Sequence, residues 1–161
     1  MPSKSNNAGC LGVFLNWGKS FEQPQPPNLF PYAKQDNFLS AGELRFYHIL
    51  KRLIPEGFTL ITKVNLADLF YVPRPNVNKG ARNRIDRKHV DFVICESTSM
   101  QPALAIELDD SSHNRKKRIE RDAFVDQVFA AADLSLLHIK VVQSYDEALL
   151  AENIRSHLGN G

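Results

Sequence analysis

Apolar residues recur along this chain with two periods, and the changes between them mark the elements. After Ser40 the spacing is helical. Phe46 or Tyr47, Leu50, and Leu53 or Ile54 line one stripe, and Pro55-Glu56-Gly57 ends it. The stretch 58–66 is apolar and rich in β-branched residues, which predicts a first strand, while 67–72 fits neither period cleanly. Residues 73–87 are polar and basic, with Pro, Gly and Asn throughout, and read as a loop. Two short apolar runs follow at 90–95 and 103–108, joined by a turn, and predict adjacent strands. From 114 to 132 the helical period returns. Phe124, Val128 and Ala131–Ala132 form a buried stripe, with Val125 and Phe129 beside it. Residues 134–142 predict a last strand and 145–158 a closing helix. The order α-β-β-β-α-β-α has a long helical crossover between its third and fourth strands, which requires that pair to be parallel. The predicted fold class is α/β, a central mixed four-stranded sheet flanked by helices. Residues 1–36, with Pro24, Pro26, Pro27 and Pro31, read as a flexible Pro-rich tail before a domain at 37–158.

Carboxylates interrupt this pattern where an apolar strand would not carry them. Side chains alternate along a strand, so Ala103, Ala105, Glu107 and Asp109 share one face, and Leu104, Ile106 and Leu108 the other. In the preceding run Asp91 and Val93 share a face, opposite Val90, Phe92 and Ile94. If the large residues of both strands meet one core, three carboxylates meet on the other side. Like charges repel, so such a cluster needs a cation or a raised pKa, and an oxygen-rich cluster suits Mg²⁺. Upstream, Ser40 and Glu43 have capping-box spacing. Glu43 also lies on the apolar stripe one turn before Phe46 and Tyr47, so capping competes with a sheet-facing role, capping being slightly favoured.

Charge and composition narrow the picture modestly. The chain has 161 residues, 43% of them apolar, enough for one domain with a core and a tail. The net charge of +2 carries no message about nucleic acid, but its distribution does. Residues 79–88 and 115–121 each hold five basic residues against one acidic. Arg82, Arg84, Arg87 and Lys88 in the first, and Arg115, Lys116, Lys117 and Arg118 in the second, are candidates for contact with a polyanion. The ordinary alternative is solvated surface. The helical stripe through Phe124 and Val128, continued backward, meets Arg121, which places a cation over the strand end that holds Glu107 and Asp109. His113 follows Asp109 by four residues, and for it a structural and a functional role weigh evenly. Asp110 reads as a helix-entry carboxylate. The two cysteines, Cys10 and Cys95, form neither a zinc spacing nor a disulfide framework, and Cys95 reads as a core residue. No signal peptide is legible, and the apolar patch LGVFLNW at 11–17 is too short to span a bilayer, so a cytoplasmic setting is expected and a membrane partner is not.

The element order, with an acidic residue on the second strand and E-x-acid on the third, resembles the PD-(D/E)XK nuclease core. The motif run FLSAGELRFYHIL at 38–50, RKHVDFVIC at 87–95, AIELDDSSH at 105–113 and RDAFVDQVF at 121–129 is similar to the bacterial domain-of-unknown-function family 2726, over about residues 36–145. An acidic pair ahead of His113 also resembles the very-short-patch-repair-like branch of that superfamily. The resemblance implies Mg²⁺ (or Mn²⁺) as cofactor and DNA as partner. It implies Asp91 and Glu107 as metal ligands, Asp109 as a further oxygen donor, and Glu43 as the helix-one glutamate that some members use. It also exposes a departure: Asp109 stands where the superfamily has the lysine that orients the attacking water. Arg121, Lys140 or His113 would then have to supply the charge. The leading expectation is a metal-dependent DNA nuclease in repair or defence. The alternatives are a nuclease-fold nucleic-acid-binding module with weakened chemistry, and a protein-interaction domain that uses its acidic face. Cutting both strands of a duplex would call for a homodimer, although no dimer seam is legible.

Overall fold

The computed structural model describes residues 30–109 and 115–159, with backbone alone over 115–122. The chain divides into two units, 1–36 and 37–161, and every regular element described lies in the second.

Helix α1 (Ala41–Leu53) starts on a complete capping box. Ser40 Oγ accepts from the Glu43 N–H at 3.3 Å, and Glu43 Oε2 accepts from the Ser40 N–H at 2.7 Å. The helix stops where Ile54 turns extended ahead of Pro55. Strand β1 (Phe58–Asn65) runs directly into the single turn α2 (Leu66–Leu69), because the Asn65 side chain caps it by accepting from the Ala67 N–H at 2.8 Å. The stretch expected to be a loop contains a short helix, α3 (Ala81–Ile85). Gly80, at φ 79°, supplies the left-handed entry, and Ile85, 4% exposed, anchors an otherwise basic segment in the core. Then come β2 (His89–Glu96), β3 (Pro102–Asp109), α4 (Arg115–Ala131), β4 (Leu136–Lys140) and α5 (Glu147–Leu158), the last capped by Asp146. β4 is shorter than the apolar run that predicts it.

The sheet order is β1-β2-β3-β4, with both β2 contacts antiparallel and β3–β4 parallel. This is the expected open, mixed four-stranded sheet flanked by helices. One core lies between the sheet and α1 with α5: Phe46, Leu50, Leu150 and Ile154 pack on Phe92, Ile94, Leu104 and Ile106. The other gathers Val93, Cys95 and Ala105 with Val125 and Phe129 of α4, and with Leu66, Ile85 and Val90. Fully burying a side chain of this size contributes about 1.5–3 kcal/mol, so both faces hold the sheet.

The alternation of β2 fails at one point. Val90 packs on the α4 side with Val93 rather than with Phe92 and Ile94. β1 fails at the same level, since Ile61 and Val64, three residues apart, both pack on the α4 side. Thr62 pairs with Phe92 and Val64 with Val90, but the rung between them, Lys63 against Asp91, is missing from the ladder. Lys63 itself has a φ of 55°. Both strands change phase here, and the site is built on that irregularity. Among the described residues no helix is long and apolar enough to cross a membrane.

Candidate active site

The β2–β3 ladder runs out at Phe92 and Ile106, and one residue further along each strand come Asp91 and Glu107. The backbone N–H of Leu108 then has no carbonyl of β2 to bond. The Asp91 carboxylate takes that place, with Oδ2 accepting from Leu108 N at 2.8 Å. Asp91 is half-buried and its pKa is raised. Burial is the main cause, reinforced by the neighbouring Glu43 carboxylate; the Leu108 N–H and the Lys63 ammonium offset only part of it. Such a carboxylate gains from a nearby cation.

Glu43 resolves the competition between its two readings by doing both. While Oε2 closes the capping box, Oε1 accepts from Lys63 Nζ at 2.5 Å. Its side chain is 14% exposed. Burial pushes its pKa up, but Lys63 and the Ser40 N–H more than offset this and hold it below the usual carboxylate range. Glu43, Lys63 and Asp91 therefore form one interacting group drawn from α1, β1 and β2. Periodicity passed over Lys63. The available signal was that it is the one charged residue in β1.

Glu107 and Asp109 continue the series from Ala105, which packs on the α4 side. Glu107 is half-buried and its register partner is His138, as Lys140 is that of Asp109. His138 links two elements, with Nε2 2.9 Å from Asp126 Oδ1 of α4 and Nδ1 3.6 Å from Asp109 Oδ1. Burial lowers the His138 pKa, but Asp126 and Asp109 outweigh it and raise it overall. Sequence reasoning missed both His138 and Asp126, which are twelve residues apart and on different elements. Of the three strand carboxylates expected in one cluster, Asp91 interacts with Glu43 of α1 and Asp109 with His138 of β4, while Glu107 lies one residue beyond the end of the β2–β3 ladder, as Asp91 does. Among the described residues, no three Asp, Glu, His or Cys side chains converge closely enough to hold a metal ion by themselves.

The first basic segment splits in use. The Arg84 guanidinium sits over the Phe124 ring, 4.1 Å from its centroid, and Lys88 Nζ lies 5.6 Å from it, so these two tie α3 and the residue before β2 to α4. Arg82 and Arg87 are exposed. Lys140, considered as a source of the missing charge, is exposed on β4. Arg115, Lys116, Lys117, Arg118 and Arg121 belong to α4 by backbone, and their side chains lie outside the described residues. Asp110 and His113 lie outside them altogether, as does the 11–17 patch.

A family model described as "Protein of unknown function (DUF2726)" matches residues 35–158. No curated protein and no solved structure matches the chain.

Proposed function

The chain belongs to the DUF2726 family of proteins of unknown function, and from that premise we propose that it is a Mg²⁺- or Mn²⁺-dependent nuclease of PD-(D/E)XK type that hydrolyses DNA phosphodiester bonds in repair or defence. The observation that carries the reading is the position of Asp91. A half-buried carboxylate with a raised pKa fills the end of the β2–β3 ladder, next to Glu43, with Glu107 at the corresponding position of β3. The strand order, with an antiparallel hairpin followed by a helical crossover to a parallel strand, supports the same superfamily. The acidic pair before His113 is the ground for the very-short-patch-repair-like branch.

The donor set fits a hard divalent cation. Mg²⁺ commonly keeps several waters and takes only one or two carboxylates, so a site without three convergent protein ligands is compatible with it. Asp91 and Glu107 would hold the ion, with Glu43 behind Asp91 as a charge partner. When bound, such an ion lowers the pKa of a coordinated water and offsets the charge that develops on phosphate. The Leu108 N–H orients Asp91, and the capping box orients Glu43, so neither depends on a flexible loop. Arg82 and Arg87, both exposed, would take phosphates away from the reacting one. Cutting both strands of a duplex would require two copies.

The test is Mn²⁺-dependent cleavage of a DNA duplex by the parent, Asp91→Ala and Glu107→Ala, with Mn²⁺ binding followed by calorimetry. Loss of both cleavage and metal binding in both variants is expected. Cleavage by both variants at the parental rate would sink the metal-site reading. A second reading, a DNA-binding module with weakened chemistry, draws on one observation: Asp109 stands at the lysine position of the superfamily and is paired with His138. Metal-independent DNA binding without cleavage would favour it.

A further inference from the structure

Lys63 occupies a backbone conformation that needs a cause. Its φ of 55° lies in the left-handed region, which a non-glycine residue adopts within a strand only when its surroundings impose it. The consequence can be read from the neighbours. Regular alternation would set Lys63 on the side of Ile61, which packs in the apolar core against α4. The left-handed residue shifts the phase of β1 by one, so that Val64 takes the core position and Lys63 turns away from it. There its Nζ meets Glu43 Oε1 at 2.5 Å, and the rung it leaves is the one opposite Asp91.

We infer that Lys63 supplies the positive charge of this site, held at rest by Glu43 and available to a phosphate oxygen of the bound nucleic acid beside Asp91. The inference rests on the nuclease reading above and assigns the charge that Asp109 does not carry. Three observations converge on it. The phase shift places a lysine next to the two carboxylates in preference to a regular ladder. The charge of Lys63 reaches Asp91 as well as Glu43. Exposure differs in the needed sense, since the Lys63 side chain is 32% exposed and open to a ligand, whereas Glu43 at 14% is the more buried holder. An ammonium on a four-carbon stem can leave Glu43 for a phosphate without moving the backbone.

The experiment compares the parent with Lys63→Met, which keeps the stem and removes the charge, and with Lys63→Arg, which keeps the charge. Four readouts apply: Mn²⁺-dependent cleavage of a short DNA duplex, Mn²⁺ affinity by calorimetry, melting temperature, and duplex affinity in Ca²⁺ at several salt concentrations. The expected result for Lys63→Met is a loss of cleavage of roughly 10²–10³-fold, the usual effect of removing one charge-stabilising contact. Its Mn²⁺ affinity should be unchanged or tighter, and Lys63→Arg should cleave within about tenfold of the parent. If Lys63→Met does not fold, Lys63→Gln is compared with Lys63→Arg in the same way. A parent that cleaves and a Lys63→Met variant that cleaves equally well overturn the assignment and leave the nuclease reading standing. A parent that does not cleave ends the nuclease reading, and duplex binding then decides the lysine. A tenfold or greater loss of affinity in Lys63→Met, with a salt slope shallower by about one, retains it as a phosphate contact, and unchanged affinity overturns it.

Discussion

Two charged groups adjoin β3, and they differ in burial. Glu43, Lys63 and Asp91 meet where α1 covers the sheet; Glu43 is 14% and Lys63 32% exposed. Asp109, His138 and Asp126 meet near the surface, at 41%, 34% and 52% exposed. In the first group burial pushes both carboxylate pKa values up and the Lys63 charge pulls both down, so that Asp91 ends raised and Glu43 lowered. In the second, solvent screens the pairs, and the part that responds to pH is a histidine. A pattern of acidic residues does not by itself define a site. Glu107 and Asp109 are two residues apart on one strand, yet it is Asp91, from another strand, that the fold sets beside Glu43 and Lys63.

The largest expected effect tests whether the buried group carries the chemistry. Asp91→Asn keeps an oxygen able to accept the Leu108 N–H but removes the charge. Cleavage should fall by roughly 10²–10³-fold while the melting temperature rises by a few degrees. The sign follows from the raised pKa. An ionised Asp91 costs stability above its folded pKa, and that cost vanishes below the ordinary aspartate value of about 3.9. The melting-temperature gap between Asp91→Asn and the parent should therefore be widest above the folded Asp91 pKa and close as the pH falls through the Asp91 titration. A gap that does not change with pH would mean that the carboxylate is not strained by burial.

The next effect moves charge from one group to the other. Placing a lysine at the superfamily's usual position, Asp109→Lys in the Lys63→Met background, should recover cleavage about tenfold, part of what one such contact supplies. Failure to recover any activity, in a folded protein, would show that a cation at 109 cannot reach the phosphate.

Stability separates the groups more finely. Glu43→Gln weakens the capping box and removes the ion pair with Lys63, and should cost about 1–2 kcal/mol by denaturant titration at pH 7. Because the Glu43 pKa is lowered, its contribution is present above the ordinary glutamate value and is lost as the pH falls through the folded value. His138→Asn should cost no more than about 1 kcal/mol, as for exposed pairs. Its raised pKa gives the opposite dependence: the stabilisation is full below the ordinary histidine value of about 6.5 and is lost as the pH rises through the folded value. Equal costs for His138→Asn at pH 5.5 and pH 8.5 would show that the pair with Asp126 does not depend on an imidazolium.

Much of the frame follows from local patterning. The apolar period finds α1, the strands and α5; Ser40 with Glu43 announces the start of α1; and the 17-residue crossover α4 requires a parallel β3–β4 pair. These features depend on neighbours in the chain, so the sequence displays them. α3 was hidden because its one anchor, Ile85, sits among basic residues, and a single buried side chain has no period.

The site is less legible because it depends on an exception to the same rules. Alternation places Asp91 with Val93 and Lys63 with Ile61. The missing rung between β1 and β2 undoes both, turning Lys63 toward Glu43 and freeing Asp91 to bond the Leu108 N–H. Residue types were enough to mark Asp91, Glu107 and Glu43 as carboxylates out of place. Which of them meet, and which cation meets them, was decided by packing. Val64 and Val90 both take places in the α4-side core, and the strands must change phase to admit them. Hydrophobic burial of that kind is a property of the assembled sheet, and no stretch of the chain carries it alone.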